Sequence, residues 1–284
     1  MKFYVVTILC YMAFCLGLNI PQEAERLGAK TLVKLLQDAG LADTLSGPGP
    51  FTVFAPTDQA FSLLPKDVLD KLMNDKQLLK DVLTFHVLSG KVISTDLKNE
   101  MTVETLFTGT KLRVNIYGKT VAVDGSKVIL VDRECSNGII HVIDHVLYPV
   151  PVDNIVELAA KNPDFSELVY LVVSANLQQT LQGGPFTLFA PTNEAIAKLP
   201  PGTINDLLLN ITALVEVLTY HVVPGTVYSI GLTNGQMVKT VEGKELAVKI
   251  ENNSVMINDA TVTMANIPVT NGVIHVIDTV LLPK

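Results

Sequence analysis

"NGIIHVIDHVLYP", running from Asn137 to Pro149, returns as "NGVIHVIDTVLLP" from Asn271 to Pro283. Ten of the thirteen positions are identical, and the two copies stand nearly half the chain apart. Two further blocks recur in the same order. "FTVFAPTDQAF" (Phe51 to Phe61) returns as "FTLFAPTNEAI" (Phe186 to Ile196), and "VLTFHVLSGKV" (Val82 to Val92) as "VLTYHVVPGTV" (Val217 to Val227), each at almost the same offset. Three blocks at a nearly constant offset mean that one whole unit is duplicated. A period this long exceeds the ~20–50 residues of solenoid and propeller repeats. It suits two domains that each have their own core. Tyr148-Pro149-Val150-Pro151-Val152 interrupts regular structure between them. We expect a signal segment over residues 1–17, a first domain over 18–149 and a second over 150–284, joined semi-rigidly by a short linker.

Within each unit the periodicity changes from helical to strand-like. "TLVKLLQDAGLADTL" (Thr31 to Leu45) carries Leu32, Leu35, Leu36 and Ala39 at helical spacing, and "SELVYLVVSANLQQTL" (Ser166 to Leu181) is its more apolar counterpart. The apolar runs opening at Phe51 and Phe186 read as buried strands that end at a helix start. Thr57 or Asp58, and Thr192 or Asn193, are the candidate N-caps. The last third of each unit alternates apolar and polar residues around Asp-Gly-Ser and Asn-Asn-Ser turns. The expected class is α+β, a helical half packed on an antiparallel sheet.

The leader Phe3–Leu16 is about fourteen apolar residues after one lysine, too short for a bilayer span of ~20 and suited to a cleaved secretory signal. No second apolar stretch spans a membrane, and the terminal sequence lacks a lipid-anchor signal. Cleavage would remove Cys10 and Cys15 and leave Cys135 alone, an inert, partly buried thiol or the site of an intermolecular disulfide. The charge balance is 21 Lys and Arg against 28 Asp and Glu, a net of −7 without basic clusters. Nucleic acid and anionic membranes are poor partners for such a chain.

The repeated His-Val-Ile-Asp invites a catalytic or metal reading, which strand geometry opposes. His141 and Asp144, like His275 and Asp278, are three apart and would point to opposite faces of a strand. His141 and His145 share a face but lie ~13 Å apart at ~3.3 Å per residue, too far for one metal with bonds of ~2 Å. His86, His141, His221 and His275 therefore read as core imidazoles bonded to backbone, and Asp144 and Asp278 as turn anchors. The glycines of "SGPGPF" and "QGGPF" read as turns. Nucleophile elbows, phosphate loops, EF-hands and zinc-protease motifs do not occur, so no catalytic, cofactor-binding or metal residue is assigned. Asn210-Ile211-Thr212 and Asn252-Asn253-Ser254 are glycosylation sequons.

The three blocks, in this order and spacing, resemble the fasciclin (FAS1) domain, once per unit over nearly the whole mature chain. That resemblance implies a wedge of about seven strands with several helices, and an extracellular role in cell adhesion or matrix assembly. It also implies partner-binding roles for two residue pairs. One is Tyr220-His221, where the first unit has Phe85 in place of tyrosine. The other is an Asp-Ile pair, matched here by Asn266-Ile267 and by Asp132-Arg133, so that neither unit keeps both residues. The expected partners are an integrin-like cell-surface receptor, a matrix protein or another copy of the chain. Two alternatives stand beside adhesion: a carrier holding an apolar small ligand between sheet and helices, and a structural matrix component that binds no cell. A mean hydropathy of +0.38 is in keeping with the first.

Overall fold

The structure, a computed structural model, describes residues 17–252 and 254–283. The signal reading falls on residues 1–16, outside those described, apart from its last residue, Gly17. The chain divides into two compact units, the first ending at Val150 and the second beginning at Pro151.

Each unit holds a seven-stranded sheet with helices. In the first the strands are β1 (Phe51–Pro56), β2 (Val87–Ser89), β3 (Met101–Glu104), β4 (Lys111–Tyr117), β5 (Thr120–Val123), β6 (Ser126–Cys135) and β7 (Gly138–Ile143). Their order is β2-β1-β7-β6-β5-β4-β3. In the second they are β8 (Phe186–Pro191), β9 (Val222–Pro224), β10 (Met237–Lys239), β11 (Glu245–Glu251), β12 (Ser254–Ile257), β13 (Ala260–Val269) and β14 (Gly272–Ile277), in the equivalent order. The class is α+β, as the residue patterns indicate. One detail of the expected sheet is overturned. β1 pairs with β7, and β8 with β14, in parallel, from Phe51 opposite Gly138 and Phe186 opposite Gly272. Parallel neighbours need a long crossover, and here nearly the whole domain supplies it, which strand-by-strand alternation cannot reveal. Both strands of each central pair are buried almost throughout, so they read as continuous apolar runs.

Local chemistry sets the helix starts. Thr57 accepts from the Ala60 amide at 3.1 Å and Thr192 from Ala195 at 3.2 Å, the N-cap geometry. The residues after them serve a neighbouring helix instead. Asp58 Oδ1 accepts from Thr31 N at 2.7 Å, at the start of the helix Lys30–Asp38, and Asn193 Oδ1 from Glu167 N at 3.0 Å, at the start of the helix Ser166–Ser174. Leu32, Leu35 and Leu36 of the first of these helices are at most 3% exposed and form its core face.

Candidate functional site

The repeated polar residues converge on the central parallel strands, and nearly all of their bonds go to backbone. Asn137 Oδ1 accepts from Ile20 N at 3.0 Å, while Nδ2 donates to Leu45 O at 2.7 Å and Gly47 O at 2.9 Å. Asn271 repeats this with Ile155 N at 2.9 Å, Leu181 O at 2.8 Å and Gly183 O at 2.6 Å. The glycine that follows is required by proximity. A Cβ on Gly138 would sit 2.1 Å from Phe51 O, and one on Gly272 1.8 Å from Phe186 O. Gly49 belongs to the same junction rather than to a simple turn, since its Cβ would lie 2.0 Å from Asn137 O. Sequence reasoning passes over this Asn-Gly clamp, although its strict repetition is the available signal.

The histidines form a second clamp. His141 Nδ1 accepts from the Asp132 amide at 3.3 Å, so Nε2 carries the hydrogen and donates to Val92 O at 2.9 Å. His275 repeats both bonds, with Asn266 N at 3.3 Å and Val227 O at 2.8 Å. Phe54 and Phe189 stack on these rings, with centroids 5.4 and 5.5 Å away. His86 and His221 hold the opposite tautomer. Nδ1 donates to Val82 O or Val217 O, both at 2.7 Å, and Nε2 accepts from Leu147 N at 3.0 Å or Leu281 N at 2.9 Å. Each neutral imidazole thus has one donor and one acceptor satisfied. Burial, only partly opposed by the backbone bond, pushes His86, His221 and His275 down to about 4 and lowers His141 as well.

Asp132 and Asn266 sit in left-handed backbone (φ 56° and 64°) at a bulge in β6 and β13. Each holds the start of a one-turn helix. Asp132 accepts from Ser94 N at 2.8 Å and from the Ser94 hydroxyl, while Asn266 accepts from Ser229 N at 2.8 Å and donates to its Oγ at 2.7 Å. Ser94, Asp132 and His141 lie together without forming a catalytic chain, because the free hydrogen of the imidazole points to Val92 O and not to serine. Ile267 is half-buried against the second domain's core. Asp144 anchors a turn through Lys127 N at 2.8 Å, and Asp278 does so through Thr261 N at 2.8 Å. Among the described residues, no group of three or more His, Cys, Asp or Glu side chains gathers to hold a metal ion, and no helix is long and apolar enough to cross a membrane.

Tyr220 and His221 are only 3% and 2% exposed. The Tyr220 hydroxyl donates to Glu245 O at 3.1 Å and accepts from Asn258 Nδ2 at 3.0 Å, and it forms the floor of a surface depression with Lys244, Ala247 and Asp259. Cys135 is half-buried, and burial, with the Glu23 carboxylate, pushes its thiol up to about 11. Such a thiol carries almost no thiolate at neutral pH.

Known proteins resemble the chain along both domains. The Fasciclin domain model matches residues 27–149 and again 163–283. Transforming growth factor-beta-induced protein ig-h3 of Sus scrofa is 31% identical over 247 residues, a stretch that covers 86% of this chain and 36% of that protein. Protein sll1483 of Synechocystis sp. is 49% identical over 132 residues, covering 45% of this chain and 73% of its own. A solved FAS1 domain pair from the insect cell adhesion molecule fasciclin I aligns over 91% of this chain and 98% of its own, at 21% identity and a TM-score of 0.44. The chain therefore spans about a third of the length of ig-h3, and with the domain model matching it twice, over most of its length, it belongs to the fasciclin family.

Proposed function

We propose that this chain is a secreted glycoprotein that binds cell-surface or matrix partners through its two fasciclin domains. The observation that carries the proposal is the internal use of every repeated polar side chain. The four repeated histidines, Asn137, Asn271, Asp132 and Asn266 all close bonds within the fold. What the duplication preserves is scaffold, and recognition falls to the surfaces that scaffold presents. Two domains in one chain let weak contacts reinforce each other through effective concentration.

Tyr220 and His221 act indirectly in this reading. Buried Tyr220 sets the shape of the depression formed with Lys244, Ala247, Asn258 and Asp259, and buried His221 holds the helix end beside it through Val217 O and Leu281 N. Asn266 and Ile267 likewise position a bulge. Asn210 and Asn252 are exposed and suit glycan attachment. Asn210 caps the helix Ile211–Tyr220 through Oδ1, which accepts from Ala213 N at 3.2 Å and leaves Nδ2 for a glycan.

Attachment of cells to surfaces coated with the full chain tests the proposal. Attachment above an albumin control, weakened by Lys244→Glu together with Asp259→Lys, supports it. Attachment equal to the control defeats direct cell binding.

A further inference from the structure

The second domain contains an apolar cavity of about 50 Å³ between the helices Ile155–Lys161, Ser166–Ser174 and Gln178–Leu181 and the strands β8 and β9. Ile155, Ala159, Leu168, Val172, Leu188 and Leu218 form its wall, and no charged residue lines it. His221 also borders it, but both ring nitrogens are already bonded, at 2.7 Å to Val217 O and 2.9 Å from Leu281 N. The cavity therefore presents no free charged or imidazole group to a ligand.

Its origin is visible against the first domain. The helix Ser166–Ser174 corresponds residue by residue to Lys30–Asp38, so Val172 stands where the first domain has Leu36. Val241 N donates to Val222 O at 2.7 Å just as Leu106 N donates to Val87 O at 2.8 Å, which makes Val241 the counterpart of Leu106. Each of these two exchanges withdraws a methylene from the wall, and Leu188 in place of Val53 returns one, so the net loss is one methylene. The rim changes in the opposite sense. Val173, 47% exposed, replaces Gln37, and Val241, which lines the cavity with it, is 40% exposed. Leaving apolar side chains in water where the sister domain has polar ones forgoes stabilisation of ~25 cal/mol per Å². Packing within the domain does not account for that, but a ligand covering the rim does.

We infer that this cavity is a binding site for a neutral small molecule bearing an unbranched hydrocarbon chain. The end of the chain enters the cavity, and the rest lies over Val173 and Val241. The volume selects a narrow group, since an apolar cavity of ~150 Å³ is needed to take a benzene ring. The lack of a lysine or arginine in the lining selects an uncharged head group, which meets the amide of Gln178 and the hydroxyls of Thr180 and Thr219. This assigns a location and a ligand class to the carrier alternative, and it stands or falls independently of cell adhesion.

The test uses the full chain and isothermal titration with 1-decanol and, in parallel, with decanoate. We expect single-site binding of decanol, at least tenfold tighter than that of decanoate. Val172→Leu combined with Val241→Leu adds two methylenes to the wall and should weaken binding at least tenfold without lowering Tm. Val173→Gln, confined to the exposed rim, should weaken it about threefold and keeps the test valid if the double variant misfolds. Absence of decanol binding, equal binding of decanoate, or binding indifferent to both variants overturns the inference. Loss of cell attachment in Val173→Gln without any decanol binding would overturn it in favour of a protein side chain as the occupant.

Discussion

Asn137 and Asn271 make the same three hydrogen bonds in their respective domains, and the histidine clamps match bond for bond. At the β3–β5 end of the sheet the domains part. In the first, Arg113 reaches Glu100 at 3.0 Å, both side chains being largely buried, and Glu100 holds a left-handed φ of 61° that the turn requires in both domains, Gly235 holding 80°. In the second, Ala247 and Gly235 stand at those positions, and the space is organised by Tyr220 bonded to Asn258. Asn99 and Asn234 still cap the same backbone amides, Ile116 N and Ile250 N, each at 2.8 Å. The difference teaches that polar groups bonded to backbone are tied to the fold itself. Polar groups bonded to one another are interchangeable solutions to local packing.

The parity of the two clamps breaks first, and most severely, at the glycines. Gly138→Ala and Gly272→Ala each drive a Cβ into a carbonyl of the partner strand. Each should cost more than ~4 kcal/mol, with loss of the affected domain in urea unfolding read by hydrogen exchange. Tolerance of either substitution would show that the parallel pair can separate locally. Asn137→Ala and Asn271→Ala each remove three bonds and should cost about 3 kcal/mol, equally in the two domains.

Acid should separate the domains. A buried imidazole whose folded pKa lies below its unfolded value of ~6.5 stabilises the fold fully above that pH. It loses the contribution as pH falls toward 4, on the order of 3 kcal/mol per group. The second domain has two such groups at about 4, His221 and His275. In the first, the Asp132 carboxylate works against the lowering of His141, whereas Asn266 offers His275 no charge. The second domain should therefore unfold at the higher pH. Asn266→Asp should raise the His275 pKa measured by NMR titration and shift that transition downward, and an unmoved His275 titration would refute the carboxylate's role.

Smaller effects sharpen the contrast at the β3–β5 end. Glu100→Ala removes a carboxylate that Arg113 bonds and should destabilise the first domain alone by about 2 kcal/mol. Tyr220→Phe makes the second domain resemble the first at Phe85. It should cost about 1 kcal/mol, seen as a small drop in the urea midpoint.

The residue patterns made much of this fold legible. Duplication is plain in three blocks, helices in the Leu32-Leu35-Leu36 stripe, and N-caps in Thr57 and Thr192. Strand alternation already separates His141 from Asp144. The site was less legible, because burial of a tyrosine or an asparagine depends on what folds over it. Tyr220 sits in a motif that reads equally well as a contact surface, and it is enclosed by core residues such as Phe189 and Leu246 and by its bonds to β11 and Asn258, nearly all distant from it in the chain.

By itself, then, the sequence determined the duplicated α+β domain and the local starts of its helices, since capping and periodicity act over a few residues. Tertiary structure alone decided the parallel pairing of β1 with β7, the tautomer of each histidine and the presence of an apolar cavity in one domain. Each of these depends on atoms far apart in the chain, where a carbonyl pressed against a missing Cβ or a methylene absent from a wall leaves no local pattern.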